Sequence, residues 1–208
     1  MTEHAQAALQ LVRDSSQFKW YVIPLLLVVI YVYATEVERR NWNVFFAGLA
    51  LWGMDGFNEI WNAVVFHATG RAPVWGATGP TAYQLLIGLN IEICFMFAIM
   101  GVAAAKMLPP KQTRILGVPN RPVLIAVNSA GAVLVEVLLN KIGVLTWDWS
   151  WWQASFPLLI FLIGYVPFFV VCFWVHDLAT VRAKILAVAA IFGVDAAAII
   201  VFGALGWL

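Results

Sequence analysis

A chain of 208 residues that is 63% hydrophobic and only 11% charged, with a mean hydropathy of +0.88, is too apolar to present its surface to water; a soluble domain averages about 25% charged residues. Lipid is the solvent expected for most of it, and a net charge of +1 gives no electrostatic reason to invoke nucleic acid. The two cysteines, Cys94 and Cys172, both lie inside apolar runs and read as buried thiols rather than a disulfide framework.

In chain order, residues 1–17 are polar and read as a short N-terminal segment, not a cleavable signal; Ala8, Leu9 and Val12 fall at the spacing of an interfacial helix. Spans of roughly 20 apolar residues are expected at 18–35, 43–67, 81–108, 122–142, 154–176 and 181–207. None shows the alternation of a barrel strand, so the expected class is all-α: a polytopic transmembrane helix bundle of about six spans, or seven, forming one domain over 1–208. The loops after the first, third and fifth spans hold Arg39, Arg40, Lys106, Lys111, Arg114, Arg121, Arg182 and Lys184, whereas the opposite side holds Arg13, Lys19, Arg71 and Lys141. Positive charge favours the cytoplasm, which places both termini outside it. The run from Trp147 to Trp152, with four tryptophans, reads as an aromatic belt at the outer interface, or as a lid.

Five carboxylates fall within these spans: Asp55, Glu59, Glu92, Glu136 and Asp195, with no Lys or Arg at comparable depth. A charge at mid-membrane costs about 2.5–3.5 kcal/mol on insertion scales, so such acids must be hydrated, hydrogen-bonded or protonated, and a protonated one is a proton donor. The second span is densest. Asp55, Glu59 and Asn62 follow i, i+4, i+7 with Asn58 beside them, and Phe45, Trp52 and Phe66 extend the same face. Glu136 pairs with Asn140 and Ser129 along its stripe, Glu92 shares a face with Gln84, and Asp195 has only Phe192, Ile199 and Phe202 for company. The competing reading is interhelical hydrogen-bonding glue; it suits Glu92 and Glu136 better than two acids on one turn. His67 and His176 sit at span ends without a second ligand and read as interfacial, so no metal is expected. Aspartate-rich diphosphate motifs, P-loops, dinucleotide fingerprints and nucleophile elbows are absent, and no cofactor is expected.

With Glu59 in the run Asp55-Gly56-Phe57-Asn58-Glu59-Ile60-Trp61-Asn62, and Asp195 in Phe192-Gly193-Val194-Asp195-Ala196, the chain resembles the small integral-membrane terpene cyclases that close meroterpenoids and indole diterpenes. Those are compact helical bundles of little over two hundred residues with one functional Glu in an early span and one functional Asp in the last. The resemblance implies a proton-initiated cyclisation of a prenylated or epoxidised lipophilic substrate reached from the bilayer. Glu59, with Asp55, would be the proton donor and Asp195 the second acid or base. Trp52, Asn58, Trp61, Asn62, Glu92, Glu136, Phe192 and Phe202 would bind substrate. The chemistry suits the residues, because aromatic faces stabilise cations by up to about 2 kcal/mol or more when dry, and the chain has 11 Trp, 14 Phe and 5 Tyr. Two other classes compete: a proton-coupled transporter or channel using the acids as a relay, and a non-catalytic membrane subunit whose acids meet a partner's cations.

Overall fold

Backbone polar groups in hydrocarbon have to be satisfied within their own segment, and here the apolar runs do so as helices. The computed structural model describes residues 1–208 apart from the side chain of Gln17. The helices are α1 (Glu3–Leu11), α2 (Val22–Glu38), α3 (Trp42–Thr69), α4 (Ile91–Lys106), α5 (Asn120–Lys141), α6 (Val166–Asp177) and α7 (Val181–Ala204). A π-helical segment, Ile160–Tyr165, runs straight into α6. Two-residue strands form two small antiparallel ladders, β1 (Gly76–Ala77) with β4 (Leu145–Thr146) and β2 (Arg114–Ile115) with β3 (Val118–Pro119).

Three helical stretches are both long and apolar enough to cross a membrane: α5, Ile160–Asp177 and α7. That is fewer than the expected six or seven. α2 and α4 have 17 and 16 residues, short of the roughly 20 that span hydrocarbon. α3 has 28 residues, but Asp55, Asn58, Glu59 and Asn62 interrupt its apolar run. The largest departure from expectation is at 81–90, which is not helical. Asn90 caps α4 by accepting a hydrogen bond from the Ile93 amide, and the preceding residues turn back so that the Ala77 amide bonds the Ile87 carbonyl. A side-chain cap of this kind competes with helix continuation and starts a new helix instead.

α3 is the central helix and packs on α2, α4, α6 and α7. It meets α4 closely because both contribute glycine there. A Cβ on Gly101 would lie 2.8 Å from the Gly48 carbonyl oxygen, the small-residue contact common between membrane helices. At one end of the bundle, β1 and β4 draw loops 70–90 and 142–159 together, and α1 packs Ala8 beside Ala63 and Ile87. Thr2 Oγ1 and His4 Nδ1 both reach Asp148, at 2.6 and 2.9 Å, so α1 straps the two loops. The other end is polar and basic. Arg121 forks onto Asp177 at 2.7 and 2.9 Å, Lys106 pairs with buried Glu36, and Lys184 Nζ closes the α6 C-terminus by donating to the Val175 and His176 carbonyls.

Candidate functional site

The polar face of α3 does not seal against another helix. It forms the inner end of a cavity of about 430 Å³ bounded by α3, α4, α5, the π-helical segment and α6. Asp55, Asn58 and Glu59 come from α3, Glu136 from α5 and Tyr165 from the π-helical segment; Trp75 and Trp152 come from the two loops that β1 and β4 join. The body of the cavity is apolar, with Met96, Phe97 and Met100 on one wall and Val127, Ala132 and Val135 on another.

Two hydrogen-bonded glutamates face each other across a pair of indoles. Trp75 Nε1 donates to Glu59 Oε1 at 2.8 Å. Trp147 and Trp152 donate to Glu136 Oε1 at 3.2 and 3.3 Å. The Trp75 and Trp152 rings stack at 5.5 Å. Asn62 builds this arrangement from beneath. Its Oδ1 accepts from the Val74 and Trp75 amides and its Nδ2 donates to the Trp75 carbonyl, which fixes the indole over Glu59. Gly88 permits it as well. A Cβ there would fall 2.4 Å from Asn62 Nδ2 and 2.7 Å from both Glu59 Oε2 and Trp75 Cδ1. Glu59 Oε2, buried, has no hydrogen-bond partner among the described residues, nor has Asp195 Oδ1.

The π-helical turn matters locally. Its extra residue widens the helix where Gly164 meets the Trp152 ring, the Gly164 carbonyl accepts from Asn58 Nδ2 at 3.5 Å, and Tyr165 is carried to Glu136. Such turns recur at functional sites. Tyr165 stacks on Phe97 at 6.4 Å and lines the same cavity as Asp55, Glu59 and Glu136. No Lys, Arg or His is among the lining residues, so the acidic end has no compensating cation of its own.

Of the residues singled out in the sequence, Asp55, Asn58, Glu59 and Glu136 line the cavity. The others lie elsewhere. Asp195 rests its carboxylate against Gly56 from α7 without lining the cavity. Trp52 donates its indole N–H to Cys94 and sets its edge on Phe192, which packs α3 against α4 and α7. Trp61 lies against Trp75, and Phe202 stacks on Trp207, which also covers His67. Glu92 accepts from Thr81 Oγ1, the Ala82 amide and the Tyr21 hydroxyl and so fastens the 81–90 segment to α4. Trp75, Trp152, Tyr165 and Gly88 were not anticipated. A Trp or Tyr whose polar tip has to find a partner inside an apolar run is the available signal. In the Trp147–Trp152 run it is masked by the equally good reading of an interfacial belt.

The comparisons with known proteins bear on the family. A protein of Archaeoglobus fulgidus described only as uncharacterized is 55% identical over 209 residues, covering 100% of this chain and 99% of its own length. A second, short protein of the same organism, described in the same words, is 47% identical over 53 residues, which is 25% of this chain and 95% of that one. No solved structure matches. The expected kinship with the membrane terpene cyclases is overturned by these findings: the matching family is a different one, and neither relative points to a cyclase. Two acids and a tryptophan in apolar helices are too small a pattern to separate one membrane family from another, because any bundle with a buried polar site produces it. The chain belongs to an uncharacterized membrane protein family, whose model matches residues 2–204.

Proposed function

We propose that this protein is an integral-membrane enzyme that carries out acid–base chemistry on a lipophilic small molecule, with Glu59 as the proton donor. The observation that carries the reading is a cavity of about 430 Å³ whose body is apolar and whose inner end holds Asp55, Glu59 and Glu136 without a cation. Ligand sites of this size, roughly 300–1,000 Å³, are typically apolar with a few convergent polar groups. A protonated Glu59 gives its proton to an alkene carbon or an epoxide oxygen. The cation that results on the substrate lies among the aromatic side chains that line the cavity, Trp75, Trp152 and Phe97, which stabilise it without adding to it. Loss of a proton to the carboxylate of Glu136, hydrogen-bonded by two indoles and next to Tyr165, completes the isomerisation or cyclisation, and the proton returns from Glu136 to Glu59 once product has left, restoring both acids. Asp55, one turn before Glu59 on α3 and lining the same cavity, is the neighbouring acid, and Asp195 lies behind it against Gly56.

We place the three long apolar stretches, α5, Ile160–Asp177 and α7, across the bilayer, with α3 and the shorter α2 and α4 completing six crossings beside them and both termini away from the cytoplasm. The basic cluster around Arg121, Lys106 and Lys184, at the end where α2 joins α3, α4 joins α5 and α6 joins α7, supports that orientation. A proton relay for coupled transport is the second reading, favoured by the run of carboxylates from Asp195 on α7, beside Gly56, through Asp55 and Glu59 on α3 to Glu136 on α5.

Incubating membranes with prenylated alkenes and epoxides, and reading products by chromatography and mass, tests the enzyme. Glu59→Gln keeps size but has no proton to give, so turnover falls by about 10²–10⁴-fold while folding in detergent is retained. Wild-type turnover in folded Glu59→Gln removes the assignment. Proton flux in vesicles with no product from the wild type moves the protein to the relay class.

A further inference from the structure

The cavity is not enclosed by its own walls. α4 and α5 scarcely touch each other; α4 leans on α3 and α6, and α5 on α6 and the π-helical segment. The seam between them is lined by residues that belong both to the cavity and to the outer surface: Met96 and Ala103 on α4 with Met107 at its C-terminal cap, and Val127, Gly131 and Val135 on α5. Met107, Val127 and Val135 are 61%, 58% and 47% exposed while they also line the cavity. Around Gly131 there is nothing within 4 Å of where a Cβ would stand, so the backbone of α5 borders open space there. At the far side of the same cavity lie Glu59 and Glu136, which are 3% and 7% exposed.

We infer that the α4–α5 seam is a lateral portal through which a single-chain lipophile enters from the bilayer, its uncharged reactive end seated at Glu59 and Glu136 and its tail lying out along the seam into lipid. The chemistry of the two ends selects this class. The seam offers aliphatic and thioether side chains, and methionine adapts to chains of varied shape. The inner end offers carboxylates and indole N–H groups already engaged by them, with no cation, so it accepts a hydroxyl, carbonyl, epoxide or alkene terminus and repels a phosphate or carboxylate. The unpartnered Glu59 Oε2 is the acceptor, or when protonated the donor, for that terminus. The inference rests on the proposed site but not on its reaction, because binding and access are measured without turnover.

The test is photolabelling in phosphatidylcholine vesicles with two probes, hexadecanol and hexadecyl phosphate, each with a diazirine beside the polar end, and peptide mapping of the adducts. In the wild type the alcohol marks α3 around Asp55–Glu59 together with α4 and α5, and the phosphate leaves α3 unmarked. Gly131→Phe, whose Cβ would meet nothing within 4 Å, puts a ring into the seam and removes the α3 adduct; Ala103→Phe does the same from the opposite lip. Leu134→Phe, exposed on α5 but off the cavity, keeps it. Unchanged α3 labelling in both blocking variants, equal labelling by the phosphate, or no α3 adduct in the wild type each overturns the portal. Labelling as expected with no proton-dependent turnover overturns the proposed reaction alone.

Discussion

Replacing Gly88 by alanine asks whether the Glu59–Trp75–Asn62 arrangement is as tightly built as its distances imply. The added methyl would stand 2.4 Å from Asn62 Nδ2 and 2.7 Å from Glu59 Oε2 and Trp75 Cδ1, all under the 3.0 Å that Cβ contacts do not cross. Neither Asn62 nor Trp75 can retreat freely. Asn62 is tied to the backbone of residues 74 and 75 by three hydrogen bonds, and Trp75 is held between Trp61 and Trp152. Overpacking of this kind costs about 1–3 kcal/mol, and a chain of this size loses about 2–4 °C of Tm per kcal/mol. Gly131→Ala is the matched control. It adds the same methyl to a cavity glycine, but into open space in a helix, where alanine gains about 0.8–1.0 kcal/mol. Thermal unfolding in one detergent, followed by circular dichroism, should therefore move the two variants in opposite directions. Equal Tm values for Gly88→Ala and the wild type would refute the packing of Glu59 against Gly88, and with it the fixed geometry of the site.

Other consequences are more local. Glu92→Ala frees Thr81 and the Ala82 amide; hydrogen exchange should speed up across 81–90, with about 1–3 kcal/mol lost and photolabelling of α3 by the alcohol kept, whereas unchanged exchange would mean the carboxylate does not hold this segment. Asp177→Ala leaves Arg121 without its two-pronged acceptor, a loss of about 1.5–3 kcal/mol for hydrogen bonds to a charged group, read as a fall in Tm; an unchanged Tm would show the pair to be fully solvent-screened. A reporter active only in the cytoplasm, fused after Leu208, should stay silent if the basic end faces the cytoplasm; a bright signal would invert the orientation.

What the sequence by itself determined is what depends on neighbours along the chain. Composition called for lipid as solvent, and the family match agrees that this is a membrane protein. The 3.6-residue period put Asp55, Asn58, Glu59 and Asn62 on one face of one helix, and α3 runs from Trp42 to Thr69 around them. The α5 and α7 boundaries follow the apolar runs to within a few residues. Only the tertiary structure decided what that face meets. The period of a helix says which side is buried but not against what, so Glu92 and Glu136, read alike in the sequence, separate into a loop fastener and a cavity acid, while Asp195, read as a second catalytic acid, lies against Gly56 and does not line the cavity. Trp75 and Trp152 reach their glutamates because β1 pairs with β4, residues about seventy apart in the chain. The open seam between α4 and α5 exists because both helices pack on α6 instead of on each other. Each of these is a contact between distant segments, set by how the helices divide a shared volume, and no local pattern encodes that division.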